Sequence, residues 1–153
     1  AWKETAFGYE EPRVAVTLNN LGATCVELRK YAEAEQLYGQ ALGIWERSPG
    51  SGHLNTASAL SNLGALYAFQ SRHIEAEPMY LRALAIEQQI LGQDHAIVGR
   101  TLNSYARVLD RLRRKKEAKK ARDRARQILS VHAQTNHMDM TVSAAELGYV
   151  TRQ

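Results

Sequence analysis

Leu60-Ser61-Asn62-Leu63-Gly64 stands 42 residues after Leu18-Asn19-Asn20-Leu21-Gly22. The match does not stop there. Ala34-Glu35 recurs as Ala76-Glu77, Tyr38 as Tyr80, Ala41-Leu42 as Ala83-Leu84 and Ile44 as Ile86. A third copy keeps the same offset without gaps: Leu102, Tyr105 and Ala106 take the places of Leu60, Leu63 and Gly64, and Ala118, Ala125 and Ile128 those of Ala76, Ala83 and Ile86. His53, His95 and His137 are also 42 apart. A repeat of this length means that each copy is a supersecondary unit that buries its apolar face only against its neighbours.

Each copy carries two amphipathic patterns. Leu18, Leu21, Gly22, Cys25 and Leu28 fall on one face of a first helix. Ala34, Leu37, Tyr38, Ala41, Leu42 and Trp45 do so on a second. The short polar connections, Arg29-Lys30 and Ser71-Arg72-His73, make the two helices antiparallel neighbours. Gly22, Gly64 and Ala106, with Ala34, Ala76 and Ala118, mark close helix approaches, and Tyr38 and Tyr80 fill the space beside them. No apolar–polar alternation suggests a strand. Pro78 is expected near the start of its helix, where its missing N–H costs little. Gly92 reads as a helix stop, followed by Asp94 as a cap for the next helix.

The register predicts one domain over 1–153. Residues 1–8 read as the end of a preceding repeat, 12–50, 54–92 and 96–132 as three repeats, and 139–152 as a degenerate half repeat or capping helix, since Leu147-Gly148 keeps the spacing. About seven helices are expected, stacked as a solenoid.

This pattern resembles the tetratricopeptide repeat: Leu63-Gly64 with Tyr67 on the first helix, then Ala76, Tyr80 and Ala83 on the second. The 42-residue period, Tyr31-Ala32-Glu33-Ala34-Glu35 and Leu91-Gly92-Gln93-Asp94-His95 resemble the kinesin light chain variety. The resemblance implies an all-α, right-handed solenoid of antiparallel helix pairs. It also implies a concave surface, lined by the first helices, that holds a protein or peptide. Arg122 replaces the tyrosine of the other copies, so the third copy is the least regular.

Composition fits a globular chain: 153 residues, 44% apolar and 24% charged. The single cysteine, Cys25, cannot form an intrachain disulfide, so a reducing, cytoplasmic setting is expected. No apolar run approaches a membrane span, and no signal peptide is visible. The first residue is Ala1, which suggests a processed chain or a piece of a larger one. Catalytic and cofactor motifs are not seen. The repeated histidines lie one helix pair apart and cannot converge on a metal, and no glycine-rich phosphate loop is present. Neither enzyme activity nor a cofactor is expected.

The net charge of +4 hides an asymmetry. Residues 1–99 carry 7 Lys/Arg and 11 Asp/Glu, whereas residues 111–126 carry 10 Lys/Arg and 2 acids. Two surfaces follow. Asn19, Asn20, Glu27, Asn62 and Phe69 border the core faces of the first two copies, and Arg100, Ser104, Arg107 and Arg111 form a polar stripe on the third. The expected occupant is an extended acidic peptide. Its backbone would meet the Asn20 and Asn62 amides, which both donate and accept, and its acidic end would lie near the arginines, away from Glu27. The alternative is the basic helix 111–126, where Lys115, Lys119, Arg122 and Arg126 share a face that could meet nucleic acid or an acidic surface. No aromatic residue interleaves with those charges, which disfavours base stacking.

Overall fold

A computed structural model describes residues 2–48 and 53–149, with side chains for 12–48 and 54–134. The described residues form six helices and no strand: α1 Trp2–Glu27, α2 Tyr31–Arg47, α3 His53–Phe69, α4 His73–Leu91, α5 Ala96–Arg111 and α6 Lys115–Tyr149. They pack as the pairs α1–α2, α3–α4 and α5–α6, joined through α2–α3 and α4–α5. The backbones of the first helices also approach one another, α1 with α3 and α3 with α5, whereas those of the second helices stay farther apart and α2 meets α4 through side chains, as in Glu46 with Arg82. The closer backbone approach along one row gives the stack its inner side, formed by α1, α3 and α5.

The repeat in sequence is a repeat in geometry. Arg29, Ser71 and Arg113, each 42 residues apart, take left-handed φ values of 60°, 63° and 62° at the turn inside each pair. At each turn two backbone bonds close the preceding helix, as in Lys30 N–H to Cys25 C=O at 2.8 Å and Arg72 N–H to Tyr67 C=O at 2.8 Å. This is the crossed pattern that satisfies the last carbonyls of a helix. The next residue, Lys30, Arg72 or Arg114, then starts the second helix and pairs with Glu33, Glu75 or Glu117. Arg72 also reaches back to Glu35 of the previous pair, and Arg114 reaches to Glu77. Tyr67 and Tyr105 donate their hydroxyls to the same two acids, at 3.0 and 2.9 Å. One polar clamp therefore recurs at both junctions between pairs.

The core follows the expected small-residue scheme. Ala34, Ala41, Ala76, Ala83, Ala106, Ala118 and Ala125 are buried, with Tyr38 and Tyr80 between them. A Cβ on Gly22 would stand 2.8 Å from the Tyr38 ring, and one on Gly64 3.0 Å from the Tyr80 ring. Cys25 is a free, buried thiol in this packing.

Several expectations change. Leu21 and Leu28 are 48% and 63% exposed, because the described residues contain no pair before α1 to cover them, while the equivalent Leu63 is buried. α1 runs unbroken through the expected boundary at residues 8–12: Glu11 stands where His95 caps α5, and offers no such start. α6 likewise continues through 132–139. Gly92 ends α4 at φ 85°, but its counterpart in α6 is Gln134, which lacks glycine's freedom to turn there. The expected separate helix at 139–152 is therefore a continuation of α6 as far as Tyr149, and its packing lies outside the described side chains. The cap of α5 is His95, not Asp94: Ile97 N–H donates to His95 Nδ1 at 3.2 Å, and Asp94 pairs with Arg124 instead. Pro78 sits in the second turn of α4, one turn later than expected.

Candidate functional site

Three depressions follow one another along the inner side, and α3 contributes to all of them. The first, about 360 Å³, lies between α3, α4 and α5, with Ser58, Asn62 and Arg100 on its walls. The second, about 410 Å³, crosses all three first helices and brings Glu27, Asn62, Phe69 and Arg107 together. The third, about 220 Å³, lies between Phe69, Tyr80, Ser104 and Arg107. Asn62 belongs to the first two, and Phe69 and Arg107 to the last two, so the row is continuous. Ala23 and Ala65, at positions where a larger side chain would fill the space, keep it open.

Six of the nine expected groove residues therefore line it: Glu27, Asn62, Phe69, Arg100, Ser104 and Arg107. Asn19 reaches it through Asn62, whose Nδ2 donates to Asn19 Oδ1 at 3.1 Å. Asn20 is exposed but lines none of these depressions, and Arg111 likewise lies beyond them. Asn62 thus meets Asn19 at the groove margin, while Asn20, expected beside it, stands outside these depressions. Neighbouring positions on a helix point about 100° apart, so the groove margin chooses one of the two asparagines.

Phe69 is 67% exposed and leans on Tyr31, with ring centroids 5.3 Å apart. It offers the groove an apolar contact. Burial raises the Tyr80 hydroxyl above its usual pKa, opposed by the Arg107 charge and a hydrogen bond with Ser104. Among the described residues Arg100, Arg107 and Arg111 form no ion pair, so their guanidinium groups keep their forked donors for a ligand.

The basic helix is different. Arg122 pairs with Asp110, Arg124 with Asp94, Arg126 with Asp123 at 3.5 Å, and Arg114 with Glu77 and Glu117. Lys115 and Lys119 are exposed, but the arginines of the proposed face already hold carboxylates. No group of His, Cys, Asp and Glu able to hold a metal occurs among the described residues, and no helix there is long and apolar enough to cross a membrane.

The sequence reading missed the floor of the first depression, built from Ser61, Glu87 and Thr101. A signal was present. Glu87 occupies the repeat position held by Trp45 and Leu129, a charge where the other copies are apolar. It is 3% exposed and accepts from Thr101 Oγ1 at 3.1 Å. Burial raises its pKa above the ordinary carboxylate value, with the Thr101 bond and the Arg100 charge opposing.

Comparisons with known proteins agree with the fold. The tetratricopeptide repeat family is matched over residues 13–87 and again over 61–130. The crystal structure of BtubC (BKLC) from P. vanneervenii is similar at 32% identity and a TM-score of 0.74, over 86% of this chain and 54% of that one. Kinesin light chain TPR-like repeats from Podosopora anserina share the fold at 18% identity and a TM-score of 0.65, over 78% of this chain and 57% of theirs. The chain thus spans little more than half the length of either structure. No curated protein matches it.

Proposed function

Since the chain belongs to the tetratricopeptide repeat family, whose repeats are protein–protein interaction modules, we propose that it holds an extended acidic peptide along its inner groove. One observation carries this reading: the groove keeps exposed guanidinium groups, Arg100 and Arg107, without carboxylate partners, while most arginines of the basic helix are paired. The Asn19–Asn62 pair would meet the ligand's backbone with the donors and acceptor it has left. Arg100 and Arg107, with Arg111 beyond them, would take carboxylates by forked hydrogen bonds. Glu27 fixes the polarity by repelling an acidic end from the α1 side. Ser104 and Phe69 would contact side chains between. The module would serve a larger protein, with no cofactor and no catalytic step.

Affinity should be micromolar, about −8 kcal/mol, because exposed charge pairs are weak and the ligand loses freedom on binding. The test is a peptide array followed by titration at two salt concentrations. Acidic peptides should bind more tightly than neutral ones, and Arg100→Ala with Arg107→Ala should abolish the difference. If binding survives that pair of substitutions and disappears only when Lys115, Lys119, Arg122 and Arg126 are replaced, the convex basic helix is the site, and nucleic acid or an acidic surface is its partner.

A further inference from the structure

The two junctions between helix pairs are built alike but are not filled alike on their outer side. At the first, Met79 of α4 packs against Leu60, and against the cluster of Leu63 and Leu66 that joins α3 to α2. Arg82 then spans from α4 to Glu46 of α2. At the second, 42 residues on, Ala121 stands in the place of Met79 and Gln88 in that of Glu46. With an amide at 88 instead of an acid, Arg124, the counterpart of Arg82, pairs with Asp94. A depression of about 320 Å³ is left between α5 and α6. Leu102 and Ala121, both partly buried, form its open floor, with Tyr105 and Leu109 buried behind them. The Tyr105 hydroxyl donates to Glu77 of α4 at 2.9 Å, which sets the depression on the side of α5 and α6 that faces the preceding pair. It shares no lining residue with the three inner depressions. Its rim is charged. Glu117 is held by Arg114 and Arg124 by Asp94, whereas Lys120 and, one turn earlier, Lys116 are exposed and form no ion pair among the described residues.

We propose that this outer depression is a second protein-binding surface, which takes a leucine or methionine from an acidic segment of a partner protein. The floor decides the anchor. It offers hydrocarbon and a tyrosine ring whose hydroxyl is already bonded, so a polar group would lose its water there for nothing in return. The size of the anchor follows from the other copies, where the chain's own Leu37 and Met79 hold the register position of Ala121 and pack against the core. The rim decides the residues beside the anchor. Lys116 and Lys120 lie one helical turn apart on one edge, so carboxylates flanking the anchor meet cations not yet paired. A basic segment would set like charges against them and against Arg124. Nucleic acid would use the lysines but leave the apolar floor uncovered. Because no residue is shared with the inner groove, both surfaces can be occupied at once.

The test titrates the ¹⁵N-labelled chain by NMR with the end-blocked peptide Glu-Glu-Leu-Glu-Glu, and with versions that carry alanine at the centre or lysine at the flanks. The leucine peptide should shift the amides of Leu102, Leu109 and Ala121, and bind there roughly ten-fold more tightly than the alanine peptide, the worth of partly burying a leucine side chain. Ala121→Met, the residue that the second copy carries, should fill the depression and remove that preference while the spectrum elsewhere stays native. Lys116→Ala with Lys120→Ala, which leaves the core untouched, should weaken the leucine peptide roughly three- to ten-fold at low salt. Equal binding of the leucine and alanine peptides, a leucine preference that survives Ala121→Met, or tighter binding of the lysine-flanked peptide overturns the proposal. Shifts confined to Asn62, Ser104 and Arg107 overturn it likewise, by placing all the binding in the inner groove. So does a short DNA duplex that shifts Lys116 and Lys120 more strongly than the leucine peptide and is indifferent to Ala121→Met, which makes this edge a nucleic-acid surface.

Discussion

Gly22 and Gly39 lie on facing helices of the first pair and should respond to the same substitution in opposite directions. Gly22→Ala drives a methyl to 2.8 Å from the buried Tyr38 ring, an overpacking that costs about 1–3 kcal/mol. Alanine's better helix propensity returns about 1 kcal/mol, so the net change is a loss. Gly39 has nothing within 4 Å of an added Cβ, so Gly39→Ala should gain roughly the full 1 kcal/mol. Paired denaturant melts check both. A stabilised Gly22→Ala would show that Tyr38 swings away freely. The tight glycine was legible because it recurs at Gly64 beside the same ring type. Glu87 was legible on the same principle, as an acid in an apolar register. Asn19 was not separable from Asn20, since their difference is one of angle around a helix that only its neighbours fix.

At the scale of elements, the turns carry the repeat. Ser71 holds φ 63° between α3 and α4, a left-handed conformation that costs a side-chain-bearing residue energy. Ser71→Gly removes that strain at the expense of a freer unfolded chain, and the prediction is a gain of about 0.5–1 kcal/mol. Ser71→Val should lose stability, since branching at Cβ tolerates positive φ poorly. Thermal melts of the two variants decide; a destabilised glycine variant would mean that the serine side chain contributes more than its strain. Helix pairing was readable in the sequence because the periodicity of Ala34, Tyr38 and Ala41 and the brevity of the turns leave little choice. The ends of α1 and α6 were not, for a physical reason. The 42-residue register carries on past Glu11 and Gln134, but each end keeps only half of the stop: Gly8 keeps the glycine of Gly92 without the capping histidine, and His137 keeps the histidine of His95 without the glycine. Exposure of Leu21 and Leu28 has a similar origin: an amphipathic stripe says which face is apolar, and the adjoining pair decides whether that face is covered.

In the whole molecule, Leu63 joins the first pair to the second, packed in one cluster with Cys25, Ala34, Tyr38 and Leu66. Leu63→Ala should cost roughly 2–5 kcal/mol and broaden the denaturant transition, since nearest-neighbour coupling holds a repeat array together. A loss below about 0.5 kcal/mol would place Leu63 outside the core and break the register. The closer approach of the first helices has its own mechanical consequence. They come together backbone to backbone, whereas α2 and α4 reach each other through side chains such as Glu46 and Arg82, so a bend of the stack turns about the inner row. That row behaves as the unstretched line of a flexed beam. The outer edge opens and closes, while spacings along the groove floor stay nearly constant, and a ligand laid along it keeps its register as the superhelix changes curvature.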